Sequence, residues 1–164
     1  MSAETTGLRI ETPSDREIRI TRRFDAPARL VWDAYTRPEL IKRWLGAMPG
    51  WTWAECEMDV RVGGRYRWAW RGPEGAELAL GGTYTEVVKP KRLVCTERYD
   101  QAWYPGEALN SVDFNETEGR TTLVTTLRYE SQAVRDIVLQ SPATSGMEMG
   151  YGVLDELLAS LAAA

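Results

Sequence analysis

The sequence predicts an α+β domain in which a long C-terminal helix covers one face of an antiparallel sheet. Residues 146–163 place apolar or small residues at the spacing of a single helical face. Between residues 52 and 130, segments of alternating polar and apolar character are separated by turn residues, as in consecutive antiparallel strands. Strands and helices that occur in separate blocks favour a sheet with helices packed on one side.

The chain has the length and composition of one globular domain. It contains 164 residues, of which 43% are hydrophobic and 27% charged. Residues 1–16 are polar, lack a periodic pattern and contain Pro13, so we interpret them as a flexible N-terminal arm. Residues 17–164 are predicted to form a single domain.

The first elements of this domain are a strand and two short helices. In residues 17–24, apolar residues alternate with polar ones, which predicts a strand with one wet face. One helix is predicted to begin at Pro27, since proline is favoured in the first helical turn. A second helix is predicted to begin at Pro38 and to end near Gly46.

Six further strands and two helices complete the predicted domain. The strands are expected at residues 52–60, 65–70, 78–88, 93–99, 109–116 and 120–130, which gives a sheet of 6–7 strands. The pattern of residues 93–99 does not distinguish the two faces of that strand. A short helix at residues 132–140 precedes the long helix.

Large rings are concentrated on one predicted strand. The chain has seven Trp and seven Tyr but only two Phe, and amphipathic rings suit surfaces that meet a ligand. Tyr66, Trp68 and Trp70 alternate with Arg65, Arg67 and Ala69 and are predicted to share one face. Trp53 alternates in step with the charged residues of its own strand and is therefore predicted to lie on the charged face, so we leave it out of this set.

Several kinds of chemistry are excluded by composition. The sequence has no histidine, which rules out a Ser-His-Asp or Cys-His arrangement and removes the commonest metal ligand. Cys56 and Cys95 are expected to be reduced and buried. No phosphate-binding glycine loop is present. We therefore expect no metal and no cofactor, and we assign no catalytic residue.

Charge and hydrophobicity limit the partners and the location. A net charge of −4 makes phosphate backbones and anionic lipids unfavourable partners, so we expect no binding to nucleic acid or membranes. The sequence has neither a signal-peptide pattern nor a long apolar run, and we expect a cytoplasmic protein.

Short motifs run through the chain from residue 17 to residue 162. In order they are Arg23-Phe24-Asp25-Ala26-Pro27, Val31-Trp32-Asp33-Ala34, Thr36-Arg37-Pro38-Glu39, Trp44, Asp59, Gly63-Gly64-Arg65, Gly82, Thr85-Glu86-Val87, Lys91-Arg92-Leu93-Val94, Gly146-Met147 and Gly150. Together they resemble the SRPBCC, or START-like, superfamily, and within it the subgroup related to the activator of the heat-shock-protein ATPase.

This resemblance implies a helix-grip fold, the fold of the birch pollen allergen, in which a curved antiparallel sheet wraps around the C-terminal helix. It also implies a cavity between sheet and helix, because members bind lipids, sterols, polyketides or other apolar molecules. We predict that a small apolar or aromatic ligand contacts residues from the sheet, the helix and two loops: Trp44, Tyr66, Trp68, Trp70, Tyr84, Trp103, Met147 and Tyr151. The alternative is that these rings fill a solid core.

Two other functions remain open. Some relatives are cyclases or dehydratases, and an enzyme of this type, or a hydrolase, could use a cavity carboxylate or Tyr. A bulge that shifts strand parity would turn Glu86, Glu97 or Asp113 inward, and Arg67 or Arg98 could then anchor an acidic ligand. The other function is a co-chaperone-like contact with a chaperone. An exposed edge strand would also allow a homodimer.

Overall fold

The computed structural model describes residues 8–163 and has the predicted α+β helix-grip architecture. The strands are β1 (Arg9–Glu11), β2 (Glu17–Phe24), β3 (Thr52–Met58), β4 (Arg65–Arg71), β5 (Glu77–Val88), β6 (Arg92–Tyr99), β7 (Ala108–Thr117) and β8 (Arg120–Arg128). The helices are α1 (Ala28–Thr36), α2 (Pro38–Ile41), α3 (Gln132–Leu139) and α4 (Ala143–Ala163), and a single 3-10 turn spans Pro73–Gly75.

All eight strands form one antiparallel sheet in the order β1-β2-β8-β7-β6-β5-β4-β3. The first and last strands of this order, β1 and β3, are therefore the edges. One face of the sheet, here called the concave face, packs on α1 and α4. Its residues on the central strands β7 and β8 include Val112, Phe114, Leu123 and Leu127, which are all buried.

The sheet has one strand more than the sequence predicts, and the prediction of an arm over residues 1–16 is wrong for part of that segment. Residues Arg9–Glu11 pair with β2, and Ile10 lies opposite Ile20. Three residues are too few to give a periodic signal, and the strand forms because β2 offers it an unpaired edge. Residues 1–7 lie outside the described residues.

Helix α4 is held by its second half. Leu154 is 0% exposed and Leu157 and Leu158 are 4% and 2% exposed, which are values of a packed core. The guanidinium of Arg22, on the concave face of β2, donates two hydrogen bonds to the carboxylate of Asp155, at 2.9 Å and 2.7 Å. This ion pair and the leucines anchor the C-terminal half of the helix on the sheet.

The first two turns of α4 are much less covered. Most residues from Ala143 to Met149 are exposed or half-buried, and the Met149 side chain is 46% exposed.

No helix within residues 8–163 combines the length and the apolar character needed to cross a bilayer.

Candidate functional site

The aromatic residues of β4 share the concave face, as predicted. Tyr66, Trp68 and Trp70 lie opposite Gly82, Leu80 and Leu78 of β5, which follows from regular pairing without a bulge. Tyr66 is in ring contact with Trp68, with centroids 4.6 Å apart, and with Tyr84 of β5, at 5.4 Å. Three of the predicted ligand contacts therefore form one cluster on two adjacent strands.

The parity assigned to β3 is wrong at its start. A β-bulge between Trp53 and Glu55 shifts the register, so that Trp53 faces inward and Ala54 outward. The ring of Trp53 lies 4.6 Å from that of Trp70. Trp53 thus belongs to the aromatic face from which simple alternation excluded it, and only the pairing of two strands could place the bulge.

On the helix side, Tyr151 and Trp44 lie deep in the interior. Tyr151 is 3% exposed, and its ring is 5.4 Å from Phe24 and 6.2 Å from Trp44. The indole N–H of Trp44 donates a 2.9 Å hydrogen bond to the carbonyl of Ala34 near the end of α1. Trp44 is therefore buried against two helices and does not lie at a mouth. Met147, in the less covered half of α4, is half-buried.

Trp103 lies apart from these groups, in the loop between β6 and β7. It is 37% exposed and makes edge-to-face contacts with Tyr99 and Tyr104, at 5.5 Å and 4.9 Å. Apart from Met147, the predicted ligand contacts thus fall into four neighbourhoods: the β4–β5 cluster, the Trp53–Trp70 pair, the Trp44–Tyr151 stack and the Trp103 loop.

A carboxyl group also lies on the concave face. Glu97 of β6 lies opposite Ala108 of β7, and both side chains point to the interior. Its Oε2 accepts a 2.9 Å hydrogen bond from the Tyr104 hydroxyl, and its Oε1 lies 3.5 Å from the Asn110 amide nitrogen. Burial raises the pKa of Glu97, and the two hydrogen bonds counteract this shift.

The other charged candidates face outward. Arg67 pairs with Asp100 and Glu55, and Arg92 pairs with Glu86 and Asp113. Arg98 is exposed. These four expectations, that Glu86 or Asp113 would turn inward and that Arg67 or Arg98 would anchor a ligand there, are not supported. Only Glu97 of this set points inward.

Burial also affects the groups around Glu97. It raises the pKa values of Tyr66, Tyr99, Tyr104 and Tyr129, and the charge of Glu97 adds to each shift. The thiol of Cys95, two residues before Glu97 on the same face, has its pKa raised to about 12 for the same two reasons. All five groups are therefore neutral at physiological pH.

Three residues whose pKa values are raised by burial are incompletely covered. Glu97 and Tyr99 are only half-buried, although burial raises the pKa of each. The same holds for Tyr35 of α1, beside Tyr151. By contrast, the inward residues Leu93 and Cys95 of β6 are 5% and 8% exposed. Side chains that keep accessible surface are packed less closely than fully covered ones.

Four buried polar atoms on the concave face have no hydrogen-bond partner among the described residues. They are Trp68 Nε1, Trp70 Nε1, Asn110 Oδ1 and Thr125 Oγ1. Native proteins rarely leave such groups unpaired. Each atom is shielded by neighbouring side chains, so a ligand would reach it only after those side chains rotate.

The interior is least covered near β3 and β4. Trp53, Cys56, Met58 and Trp68 point inward but are only half-buried, whereas the inward apolar residues of β7 and β8 are almost completely buried. The first turns of α4 are also incompletely covered. Met48, in the loop before β3, lies 3.8 Å from the position that a Cβ atom on Gly146 would take, so this loop lies beside the start of α4.

A separate recess of about 320 Å³ lies on the surface at the start of α1, lined by Ala28, Pro90, Lys91, Phe114, Asn115 and Glu116. The Glu116 carboxylate accepts a 2.8 Å hydrogen bond from the backbone N–H of Ala28. It thereby occupies the position at the helix N-terminus that an external anion would take. None of the predicted ligand contacts lines this recess.

Within residues 8–163, no three acidic or cysteine side chains come together as a metal site would require. The site is therefore made of aromatic rings, one carboxyl group and a few neutral polar groups. Such an arrangement can enclose an apolar molecule and orient it through a small number of hydrogen bonds.

The fold and this interior together define a helix-grip protein with a ring-lined inner face. The family of the chain follows from its sequence: it belongs to the family described as "Activator of Hsp90 ATPase homolog 1-like protein", whose pattern matches residues 25–159. No curated protein matches the sequence significantly.

Solved structures share the fold of this chain. A protein from Rhodobacter sphaeroides is 35% identical, with a TM-score of 0.86 over 93% of this chain and 99% of that chain. A protein from Nitrosomonas europaea is 24% identical, with a TM-score of 0.81 over 93% and 100%. CalU16 from Micromonospora echinospora is 23% identical, with a TM-score of 0.63 over 93% and 76%, and shares the fold.

Proposed function

We propose that this protein binds a small, mainly apolar or aromatic molecule between the concave face of the sheet and helix α4. The observation that carries this proposal is the group of enclosed residues, Tyr35, Glu97 and Tyr99, that keep accessible surface in the interior. A packed core would cover them as completely as it covers Leu154.

The lining supports an apolar occupant. Tyr66, Trp68 and Tyr84 provide ring surface on one wall, and the half-buried residues of β3 and β4 leave that wall partly open. Aromatic walls with a few polar groups are typical of sites that bind small molecules.

A ligand screen tests the proposal. The purified protein is tested against fatty acids, sterols and mono- and bicyclic aromatic compounds by thermal shift and by intrinsic Trp fluorescence. A ligand at about 100 times its dissociation constant stabilises the folded state by roughly 2.7 kcal/mol, which thermal unfolding detects easily.

Two matched variants locate the binding site. Trp68→Leu removes a ring from the proposed wall, and Trp103→Leu removes a ring from the separate loop cluster. We expect about tenfold or greater loss of affinity for Trp68→Leu and little change for Trp103→Leu, because a ring in the proposed wall would contact the ligand and a ring in the separate loop cluster would not. The proposal is wrong if no compound binds, or if Trp103→Leu alone reduces binding.

A second candidate function is acid–base catalysis at Glu97. The specific observation in its favour is an enclosed carboxyl group of raised pKa that is hydrogen-bonded to Tyr104. Every compound that binds is tested for dehydration, cyclisation or hydrolysis by mass spectrometry. Turnover that is lost in Glu97→Gln would support an enzyme, and binding without any conversion would favour a carrier.

The remaining expectations of the sequence stay predictions. They are a cytoplasmic location, a chaperone contact and a homodimer. The described residues offer no feature that favours the chaperone contact. For the homodimer, the structure supplies the two unpaired edge strands β1 and β3. Sedimentation analysis and affinity purification from the native cytoplasm test these predictions directly.

A further inference from the structure

We propose that the ligand of this interior carries a protonated amine, which pairs with the carboxyl group of Glu97. This inference rests on the proposed binding function and specifies the chemical class of the ligand. It follows from three features of the surroundings of Glu97: the charges, the unpaired hydrogen-bond capacity and the rings.

The first feature is the absence of a positive partner. Arg22 and Glu97 both point inward, but in the part of the chain that the structure describes only Arg22 has a partner of opposite charge. Arg22 forms a bidentate pair with Asp155. Glu97 contacts only the neutral groups of Tyr104 and Asn110, and within the described residues no Arg or Lys pairs with it. A positively charged ligand group would supply the opposite charge for Glu97, just as the Asp155 carboxylate supplies it for Arg22.

The second feature is that the unused capacity at this position is for accepting hydrogen bonds. Oε1 of Glu97 has only the long 3.5 Å contact with Asn110, and Oδ1 of Asn110 has no partner. The ligand group that Glu97 Oε1 requires is therefore a donor, and Asn110 Oδ1 could accept from the same group once the side chains that shield it rotate. An ammonium group has three donors and no acceptor, whereas a ketone has only acceptors.

The third feature is a set of electron-rich rings. Tyr104, which donates a hydrogen bond to Glu97, is in edge-to-face contact with Tyr99 and Tyr129, with centroids 5.7 and 5.4 Å apart. Aromatic faces attract ammonium groups, and combinations of rings with a carboxylate are typical of sites that bind amines. Rings, acceptors and an unpaired carboxyl group thus favour the same ligand class.

The experiment compares two compounds of the same shape, cyclohexylmethylamine and cyclohexylmethanol, by isothermal titration calorimetry at pH 7. We expect the amine to bind about tenfold or more tightly, since hydrogen bonds to charged groups are stronger than those between neutral groups. Glu97→Gln should abolish this preference. The matched control is Glu86→Gln, which removes a carboxylate from the outer face and should preserve the preference.

A second measurement uses the unchanged protein, so it does not depend on the folding of a variant. Burial raises the pKa of Glu97, and pairing with an ammonium group would lower it, so that binding releases a proton wherever the free protein holds one. Titrations in two buffers of different ionisation enthalpy, repeated at several pH values from about 4.5 upward, should therefore show proton release with the amine over part of that range and none with the alcohol. Cys95, Tyr66, Tyr99, Tyr104 and Tyr129 face the same region, but their raised pKa values exclude them as the source at pH 7.

The outcomes separate this inference from the proposed function. Equal binding of amine and alcohol, with no proton release, would overturn the amine inference and leave the binding function intact. Preference for the amine that persists in Glu97→Gln would also overturn it. If neither compound nor any member of the wider screen binds, both proposals are wrong.

Discussion

Three glycines in the first half of α4, Gly146, Gly150 and Gly152, give a sharp prediction about stability. In a helix interior, glycine is less favourable than alanine by about 1 kcal/mol. The structure has room for the added methyl group at each position. A Cβ atom at Gly152 would meet nothing within 4 Å, one at Gly146 would lie 3.8 Å from Met48 Sδ, and one at Gly150 would lie 3.4 Å from the Trp44 carbonyl oxygen.

Replacing all three by alanine should therefore raise the free energy of unfolding by roughly 2–3 kcal/mol. For a chain of this length that corresponds to a rise of about 4–12 °C in Tm. Urea unfolding followed by far-UV circular dichroism measures the change directly. The contrasting control is Gly82→Ala in β5, whose Cβ would overlap the Thr96 carbonyl oxygen and which should be strongly destabilising.

A triple variant that is less stable than the wild type would refute this reasoning, and the single variants would then identify the position responsible. If the stabilisation is found, the glycines have another role. A more stable start of α4 should slow ligand release past this part of the helix, because stabilising a segment disfavours its locally unfolded conformations. Stopped-flow fluorescence with a compound from the screen measures that rate.

Three further predictions concern the interior. Burial raises the pKa of Glu97 in the folded state above its value in the unfolded chain. The contribution of Glu97 to stability is therefore fully present below the pKa that it has in the unfolded chain, and it is lost as the pH rises through the pKa that it has in the folded protein. Glu97→Gln should therefore gain stability relative to the wild type between about pH 4.5 and neutral pH in urea titrations, and parallel pH profiles would contradict this. Asp155→Asn leaves the enclosed Arg22, whose side chain is 11% exposed, without its charge partner and should cost about 1–3 kcal/mol. Glu39→Gln, in an exposed pair, should change stability much less. Leu154→Ala should cost about 2–5 kcal/mol in the same assay, because the side chain is 0% exposed and a cavity would remain, and a loss below about 1 kcal/mol would mean that the helix is not packed as described.

Much of the fold is determined by local patterns that the sequence contains. The alternation of Tyr66, Trp68 and Trp70 fixes their common face, because successive side chains of a regular strand point to opposite sides. The periodicity of α4 likewise identifies Leu154, Leu157 and Leu158 as the buried side of the helix. In both cases the residues that set the pattern are close together in the chain.

Tertiary structure decides the features that depend on partners far away in the sequence. The strand at Arg9–Glu11 exists because β2 has a free edge, and the inward position of Trp53 requires a bulge that appears only in the pairing with β4. Glu97 belongs to the same category. Its strand has apolar residues on both faces, Leu93 and Cys95 inside and Val94 outside, so alternation alone cannot orient the carboxyl group.

The sequence by itself thus determines the order and type of the elements, the aromatic character of the inner face and the exclusion of histidine chemistry. Only the tertiary structure brings Tyr104, from a loop, and Asn110, from a neighbouring strand, to the carboxyl group of Glu97. The physical reason is that periodicity specifies which side of an element faces the core, whereas a binding site depends on which side chains from different elements meet there and on how completely they fill the space between them.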